Sequence, residues 1–224
     1  KYIIISLSLL GVLLSQSLNN FLFINGSISP NYTPYIFDYT NNTWSDPLTS
    51  YDPGVRDNCE SVYDSKNKMV LLITNDGSTC YLDAYNPETN IWESRSSLSM
   101  PSSIIQGTGD FDESIAYDSE SDKTIFCIFS NSTLYTFSYD YLTDTWEEKA
   151  STGLNLHAQS AMAYDIESDR VIYVRWVGSS SQLETKSYDY NTNTWEEKSI
   201  YQNSQYTNIN DLGLSYDFEH DKLI

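Results

Sequence analysis

Cysteine, histidine and basic residues are scarce in this chain, and each shortage removes a class of function. Of 224 residues, three are cysteine: Cys59, Cys80 and Cys127. That is too few for a disulfide scaffold. Cys127 sits inside Ile125-Phe126-Cys127-Ile128-Phe129, which reads as plain core. Cys59 and Cys80 remain a candidate pair, opposed by the strand expected between them. Two histidines, His157 and His220, exclude a His-rich metal centre. Twelve Lys and Arg stand against 31 Asp and Glu, a net charge of -19. Phosphate recognition needs clustered cations, so nucleic acid and anionic membrane surfaces are excluded as partners. Gly-rich phosphate loops, a Ser nucleophile elbow and metal-ligand spacings are missing. No catalytic residue, cofactor or metal is therefore expected within these residues.

Long apolar runs are missing too. The one apolar stretch, Ile3-Ile4-Ile5 followed by Leu9-Leu10-Gly11-Val12-Leu13-Leu14, is shorter than the roughly 20 residues that span a bilayer. It follows Lys1 and precedes Ser15-Gln16-Ser17. A basic start, a short apolar core and small residues at the cleavage positions read as a signal peptide over 1–17. No other membrane insertion is expected. Sequons agree with a secreted or cell-surface location: Asn25, Asn31, Asn41 and Asn131 each begin an Asn-x-Ser/Thr triplet and are glycosylation candidates. Helical periodicity is not found after the leader.

Aromatic residues are abundant at 14%, with 19 tyrosines, and favour pleated, half-buried surfaces. They are also periodic. Phe37-Asp38 and Trp44, Tyr85-Asn86 and Trp92, Tyr139-Asp140 and Trp146, and Tyr188-Asp189 and Trp195 repeat one pattern. In each, a Trp follows the acid or amide by six residues, and the Trp steps are 48, 54 and 49. A second pattern interleaves with it: Tyr63-Asp64, Tyr117-Asp118, Tyr164-Asp165 and Tyr216-Asp217, stepping by 54, 47 and 52. Two interleaved patterns with one period define a structural repeat.

Each repeat parses into four strands. In the one spanning 159–198 they are about 159–165, 171–177 and 183–189, with the last starting near Trp195. The second strand, Val171 to Val177, is almost continuously apolar, as a strand covered on both faces must be. Asn, Asp, Ser and Gly crowd the turns. Four-stranded units of about 50 residues mean an all-β fold: a β-propeller of antiparallel blades. It is incomplete over 18–224, with three full and two partial blades.

The Tyr-Asp, short turn and Trp ending resembles the kelch repeat, within the galactose-oxidase-type propellers. His157-Ala158-Gln159-Ser160-Ala161-Met162-Ala163-Tyr164 is similar to the first strand of a kelch blade. The departure is the Gly-Gly that usually ends the second strand; Thr74-Asn75, Ser130-Asn131 and Val177-Gly178 stand there instead. The resemblance implies a binding module. Its ligand, a protein or a glycan, would meet the loops joining strands two and three and the connectors expected over 94–111, 149–158 and 199–211. On that face the reading places Asn75, Asp76, Arg95, Asn131, Ser179 and Ser180. Arg56, Arg95 and Arg175 are candidate anchors for an acidic partner, or plain surface charges. The repeated Trp and Tyr-Asp positions are structural, and the paired acids Glu147-Glu148 and Glu196-Glu197 read as solvent-facing.

Two other readings stay open. One is an extracellular propeller enzyme acting on carbohydrate, an oxidase or a sialic-acid-handling enzyme, with its catalytic residues largely outside this segment. The stretches from Ser138 to Trp146 and from Ser187 to Trp195 come near a sialidase turn but are one residue too long and lack its Gly. The other is a purely structural ectodomain.

Overall fold

The computed structural model describes residues 5–7, 10–15, 20–25, 33–38, 40–45, 57–101, 104, 112–154, 159–177, 179–202, 212–217 and 219–224. The chain divides into two compact units, Lys1–Ser99 and Met100–Ile224.

In the first unit, β1 (Ile5–Leu7), β2 (Leu10–Ser15), β3 (Asn20–Asn25), β4 (Thr33–Asp38) and β5 (Thr43–Trp44) form one sheet in chain order. The leader boundary read at residue 17 falls between β2 and β3. A second sheet contains β6 (Asp57–Asp64), β7 (Met69–Asn75), β8 (Thr79–Asn86), β9 (Ile91–Ser94) and β10 (Leu98–Ser99). Here β7 separates the two candidate cysteines: Cys59 faces Thr74 and Cys80 faces Asn75. Two strand spacings amount to about 9.5 Å, beyond the roughly 7 Å that a disulfide tolerates between Cα atoms.

In the second unit, β11 (Asp112–Asp118), β12 (Lys123–Ser130), β13 (Thr133–Asp140) and β14 (Thr145–Gly153) form one antiparallel blade. The next consists of β15 (Gln159–Asp165), β16 (Arg170–Val177), β17 (Gln182–Asp189) and β18 (Thr194–Gln202). A further pair, β19 (Tyr216–Asp217) and β20 (Lys222–Leu223), repeats the first hairpin. The second strands β7, β12 and β16 are buried almost throughout.

The recurring Tyr-Asp pairs build the hairpin turns. The Asp or Asn carboxyl or amide oxygen accepts backbone N–H groups two and three residues on. Asp118 takes those of Glu120 and Ser121, Asp140 those of Leu142 and Thr143, and Asp165 those of Glu167 and Ser168. This is the Asx turn that makes these residues good hairpin starters. The turn ends on a residue of positive φ, from 51° to 58° at Asn90, Asp122, Asp144, Asp169, Asn193 and Asp221. Asn and Asp tolerate that backbone better than other side chains. The tyrosine hydroxyl closes the turn by donating to that same side chain. Tyr85 reaches Asn90 at 3.0 Å, Tyr117 Asp122 at 2.7 Å, Tyr139 Asp144 at 2.6 Å and Tyr164 Asp169 at 2.8 Å. Tyr188 reaches Asn193 at 2.8 Å and Tyr216 Asp221 at 2.9 Å.

The repeated Trp faces the tyrosine or phenylalanine across the third and fourth strands. Ring centroids lie 5.0 Å apart in Phe37–Trp44 and Tyr85–Trp92, 4.9 Å in Tyr139–Trp146 and 5.1 Å in Tyr188–Trp195. Trp195 also joins the two blades of the second unit. Its Nε1 donates to Thr136 Oγ1 and to the Ala150 carbonyl, both at 3.0 Å. Asn193 Oδ1 accepts the Ala150 N–H at 2.8 Å, and Lys149 lies 4.6 Å over the Tyr190 ring. Behind this latch, Ile125, Cys127, Phe129 and Leu134 of one blade share a core with Val171, Tyr173 and Tyr188 of the other.

The fourth strands differ from the sequence expectation. Connectors were expected over 94–111, 149–158 and 199–211, yet β10 continues the strand begun by β9, β14 runs to Gly153 and β18 to Gln202. Each is bulged by one residue. Thr136 faces Lys149 while Leu134 faces Thr152, and Lys186 faces Glu197 while Glu184 faces Ile200. Asp83 faces Ser94 while Cys80 faces Leu98. A bulge inverts the in–out alternation partway along the strand. The outer strand is largely exposed besides, so it leaves no period of two to read.

Candidate functional site

A concavity lies in the second unit, between its two full blades. It is a cleft of about 390 Å³ walled by Arg175, Glu184, Lys186 and Glu197, with Gly153 and Leu154 from the facing blade. Lys198, Ser199 and Ile200 form its rim. Arg175 stands two residues before the end of β16 and is 3% exposed, not the surface charge that its neighbourhood in sequence suggests. Its Nε and Nη2 both donate to Glu184 Oε2 on β17, at 2.8 and 2.5 Å. On the same face of β17, Lys186 donates from Nζ to Glu197 of β18. The Lys186 side chain is 4% exposed while that of Glu197 is 76% exposed.

Glu184 and Lys186 belong to no motif, and Glu197 reads from sequence as a solvent-facing acid, but a signal exists. The third strands align on Ser138-Tyr139-Asp140 and Ser187-Tyr188-Asp189. Lys186 then falls where the preceding blade has the buried Phe137, and Arg175 falls where it has Ile128. Two positions that are apolar core in the preceding blade are cations in this one; in the first unit the same register positions hold the buried Asp83 and Thr74.

The six loop residues named from sequence divide between the units. Asn75, Asp76 and Arg95 belong to the first. Asn75 is buried at the end of β7, and its Oδ1 accepts the N–H of Gly77, whose φ of 84° suits glycine. Asp76 is exposed and holds the rest of that turn. It accepts the Tyr81 hydroxyl at 2.7 Å, the Ser78 hydroxyl at 2.8 Å, and the N–H groups of Ser78 and Thr79. The Tyr81 bond, then those from Ser78, hold its carboxyl far below the usual range. Arg95 lies in the bulge between β9 and β10; its N–H donates to the Leu82 carbonyl and its Nη1 lies 3.4 Å from Glu93. Arg56 lies outside the described residues.

Asn131, Ser179 and Ser180 belong to the second unit. Asn131 is exposed at φ 50° in the β12–β13 turn, and Ser179 and Ser180 are exposed in the β16–β17 turn. The Ser180 hydroxyl donates to Gln182 Oε1 at 2.8 Å. Leu154, a wall of the cleft, donates its N–H to the Ser132 carbonyl at 2.9 Å. These turns therefore stand at the end of the two blades where the cleft lies. Of the sequons, Asn41 is exposed with its Nδ2 donating to Asp38 Oδ2 at 2.6 Å. Asn25 is in β3, and Asn31 lies outside the described residues. Among the described residues, no group of three or more His, Cys, Asp or Glu is placed to share a metal ion, and no helix is long and apolar enough to cross a membrane.

These blades define a β-propeller fold, and comparison with known proteins agrees. No family model matches the chain, and no curated protein does. Solved structures match at the level of fold. The periplasmic gluconolactonase PpgL of Pseudomonas aeruginosa aligns with a TM-score of 0.63 and 10% identity over 85% of this chain and 53% of that one. A triple arginine-to-alanine mutant of AofleA from Arthrobotrys oligospora gives 0.63 and 11% over 93% and 60%. The exo-β-1,3-galactanase of Phanerochaete chrysosporium, with β-1,3-galactotriose, gives 0.56 and 11% over 88% and 53%. The chain thus spans little more than half the length of each.

Proposed function

We propose that this chain is part of a secreted or cell-surface kelch-like propeller. It binds a protein or glycan ligand on the face formed by the second-to-third-strand turns and the inter-blade connectors. The observation that carries the reading is the cleft beside those turns. It is concave, of ligand size, lined by both apolar and charged groups, and set on blades whose turns are fixed by hydrogen bonds. The opposite end of each blade is occupied by Asx turns whose polar atoms already serve one another. Leader-like residues 1–17 and four sequons support a secretory route.

Screening the full chain against an array of glycans and extracellular proteins tests this. The reading expects saturable binding that is weakened by bulky substitutions at Ser179 or Ser180. Absence of any saturable ligand contradicts it. A carbohydrate-active enzyme is the second reading, favoured by structural neighbours named as a galactanase and a gluconolactonase. Turnover of a bound glycan by the full chain would establish that reading in place of simple binding.

A further inference from the structure

From the charges in the inter-blade cleft, we infer that it takes a carboxylated sugar, a uronic-acid unit, with Lys186 as the anchor for the carboxylate. The inference rests on the glycan side of the binding function above and narrows it to one chemistry.

The first observation is the cost of the lysine. An ammonium group carries three donors. Among the described residues Glu197 is the one partner of Lys186. A buried cation so thinly partnered is expensive to keep, and a hydrophobic residue of similar volume is often as stable or better. The preceding blade shows the alternative, with Phe137 at the same register position, stacked 6.5 Å from Phe126. Stability alone therefore does not account for Lys186.

The second observation is the asymmetry of the pair. Lys186 is fixed inside the cleft wall, whereas Glu197 extends from an exposed strand with most of its side chain in water. Glu197 can rotate away at little cost, which frees the ammonium for a carboxylate from outside. Its carboxylate occupies the place of the ligand's.

The third observation is distribution. The chain has 12 basic residues in all, and three of them, Arg175, Lys186 and Lys198, line this one cleft. Glu184 and Glu197 line it too, and Lys198 also pairs with Glu196 at 2.7 Å, so the lining carries one net positive charge in a chain of net charge -19.

The mixed signs of the lining select the ligand class. Lys186 and Lys198 ask for an acceptor-only group. Glu184 and Ser199 ask for hydroxyl donors. A uronate pyranose brings a carboxylate and several hydroxyls on one compact ring. An acidic peptide carries its carboxylate on a flexible side chain and donates from backbone N–H groups, with no hydroxyl beside the carboxylate to offer Glu184.

The test is calorimetric titration of the full chain with trigalacturonate, with β-1,3-galactotriose as a neutral trisaccharide and hexaglutamate as an acidic peptide. Trigalacturonate is expected to bind at least tenfold more tightly than either control. Lys186→Met, which keeps the volume, should weaken it at least tenfold. Glu197→Gln, a change at an exposed position, should strengthen it severalfold by removing the internal competitor. Thermal melts establish that both variants are folded; should Lys186→Met fail to fold, Glu197→Gln alone decides. Equal affinity for the neutral trisaccharide, equal affinity for hexaglutamate, or weaker binding by Glu197→Gln would overturn the inference. Array binding to neutral glycans or proteins without uronate preference would overturn this inference alone and leave the broader binding reading standing. No array ligand at all would remove both.

Discussion

At the scale of single residues, one device uses six of the 19 tyrosines. A Tyr hydroxyl spans five residues to clasp the Asp or Asn that takes the left-handed position of its own turn. Tyr139→Phe removes that donor from Asp144. Since the acceptor is a carboxylate in a partly buried site, the loss should be about 1–2 kcal/mol, read from urea unfolding of the full chain. An unchanged midpoint would show the clasp to be incidental. Lys68 takes the same backbone position at φ 57° after Tyr63, without the side-chain oxygen of an Asx residue. Its ion pair with Glu88 is exposed and long at 3.4 Å, hence of little worth. Lys68→Asn should therefore stabilise the chain by about 0.5–1 kcal/mol.

The carboxyls of these turns also set the response to pH. The side chain of Asn41, then its N–H, hold Asp38 below the usual range. Burial pushes Asp140 up, but Lys123 and the amides of Thr143 and Leu142 outweigh it, so it too is lowered. Unfolded Asp titrates near 3.9. A group depressed in the folded state contributes stability in full above that value and loses it as pH falls through the folded one. Burial pushes the Tyr85 hydroxyl up to about 12. Its contribution has the opposite sign: it is full below the unfolded value near 10 and is lost as pH rises. The urea midpoint should thus be level from about pH 5 to 9 and fall on both sides. A decline already present between pH 7 and 5 would contradict the assignment. The Tyr-Asp pairs were legible as repeats. Their partners five residues on were not singled out, because Asp and Asn alternate there and look like ordinary turn composition.

At the scale of elements, the first three strands of the blade that begins at Gln159 follow from sequence because each has a decisive pattern: alternation, a double-sided apolar run, or alternation ending in Tyr-Asp. The strands expected at 159–165, 171–177 and 183–189 match β15, β16 and β17 to within a residue. The fourth starts where expected, at Thr194 beside Trp195, but its end does not follow, since exposure and a bulge erase its period. Yet its Trp performs a task that crosses elements. Trp195→Phe keeps the aromatic pair with Tyr188 but leaves the Ala150 carbonyl and Thr136 without the indole donor. A loss of about 1–3 kcal/mol follows, with faster amide exchange at Ala150 than at Tyr173 in the adjoining core. Uniform exchange changes across both blades would mean that the latch is not local.

At the scale of the whole molecule, periodicity gave the architecture, because a blade cannot bury its faces alone and so must recur. The site was less legible. Loop composition pointed to the end of the blades where Asn131, Ser179 and Ser180 stand and where the cleft lies. The cleft itself is written in departures from the repeat, Arg175 and Lys186, which show only when one blade is laid on another. Asn75 and Asp76 illustrate the reverse: polar loop residues that turn out to fasten their own hairpin. The central claim is that ligand is engaged at the end of the blades carrying the β12–β13 and β16–β17 turns, not at the Asx-turn end. Two bulky substitutions compared on one glycan and protein array test it most directly: Ser180→Trp at the first end and Leu142→Trp, at a 73% exposed position of the Asx-turn end. The account predicts that Ser180→Trp abolishes binding and Leu142→Trp leaves it intact. Loss of binding by Leu142→Trp with Ser180→Trp unaffected would contradict it.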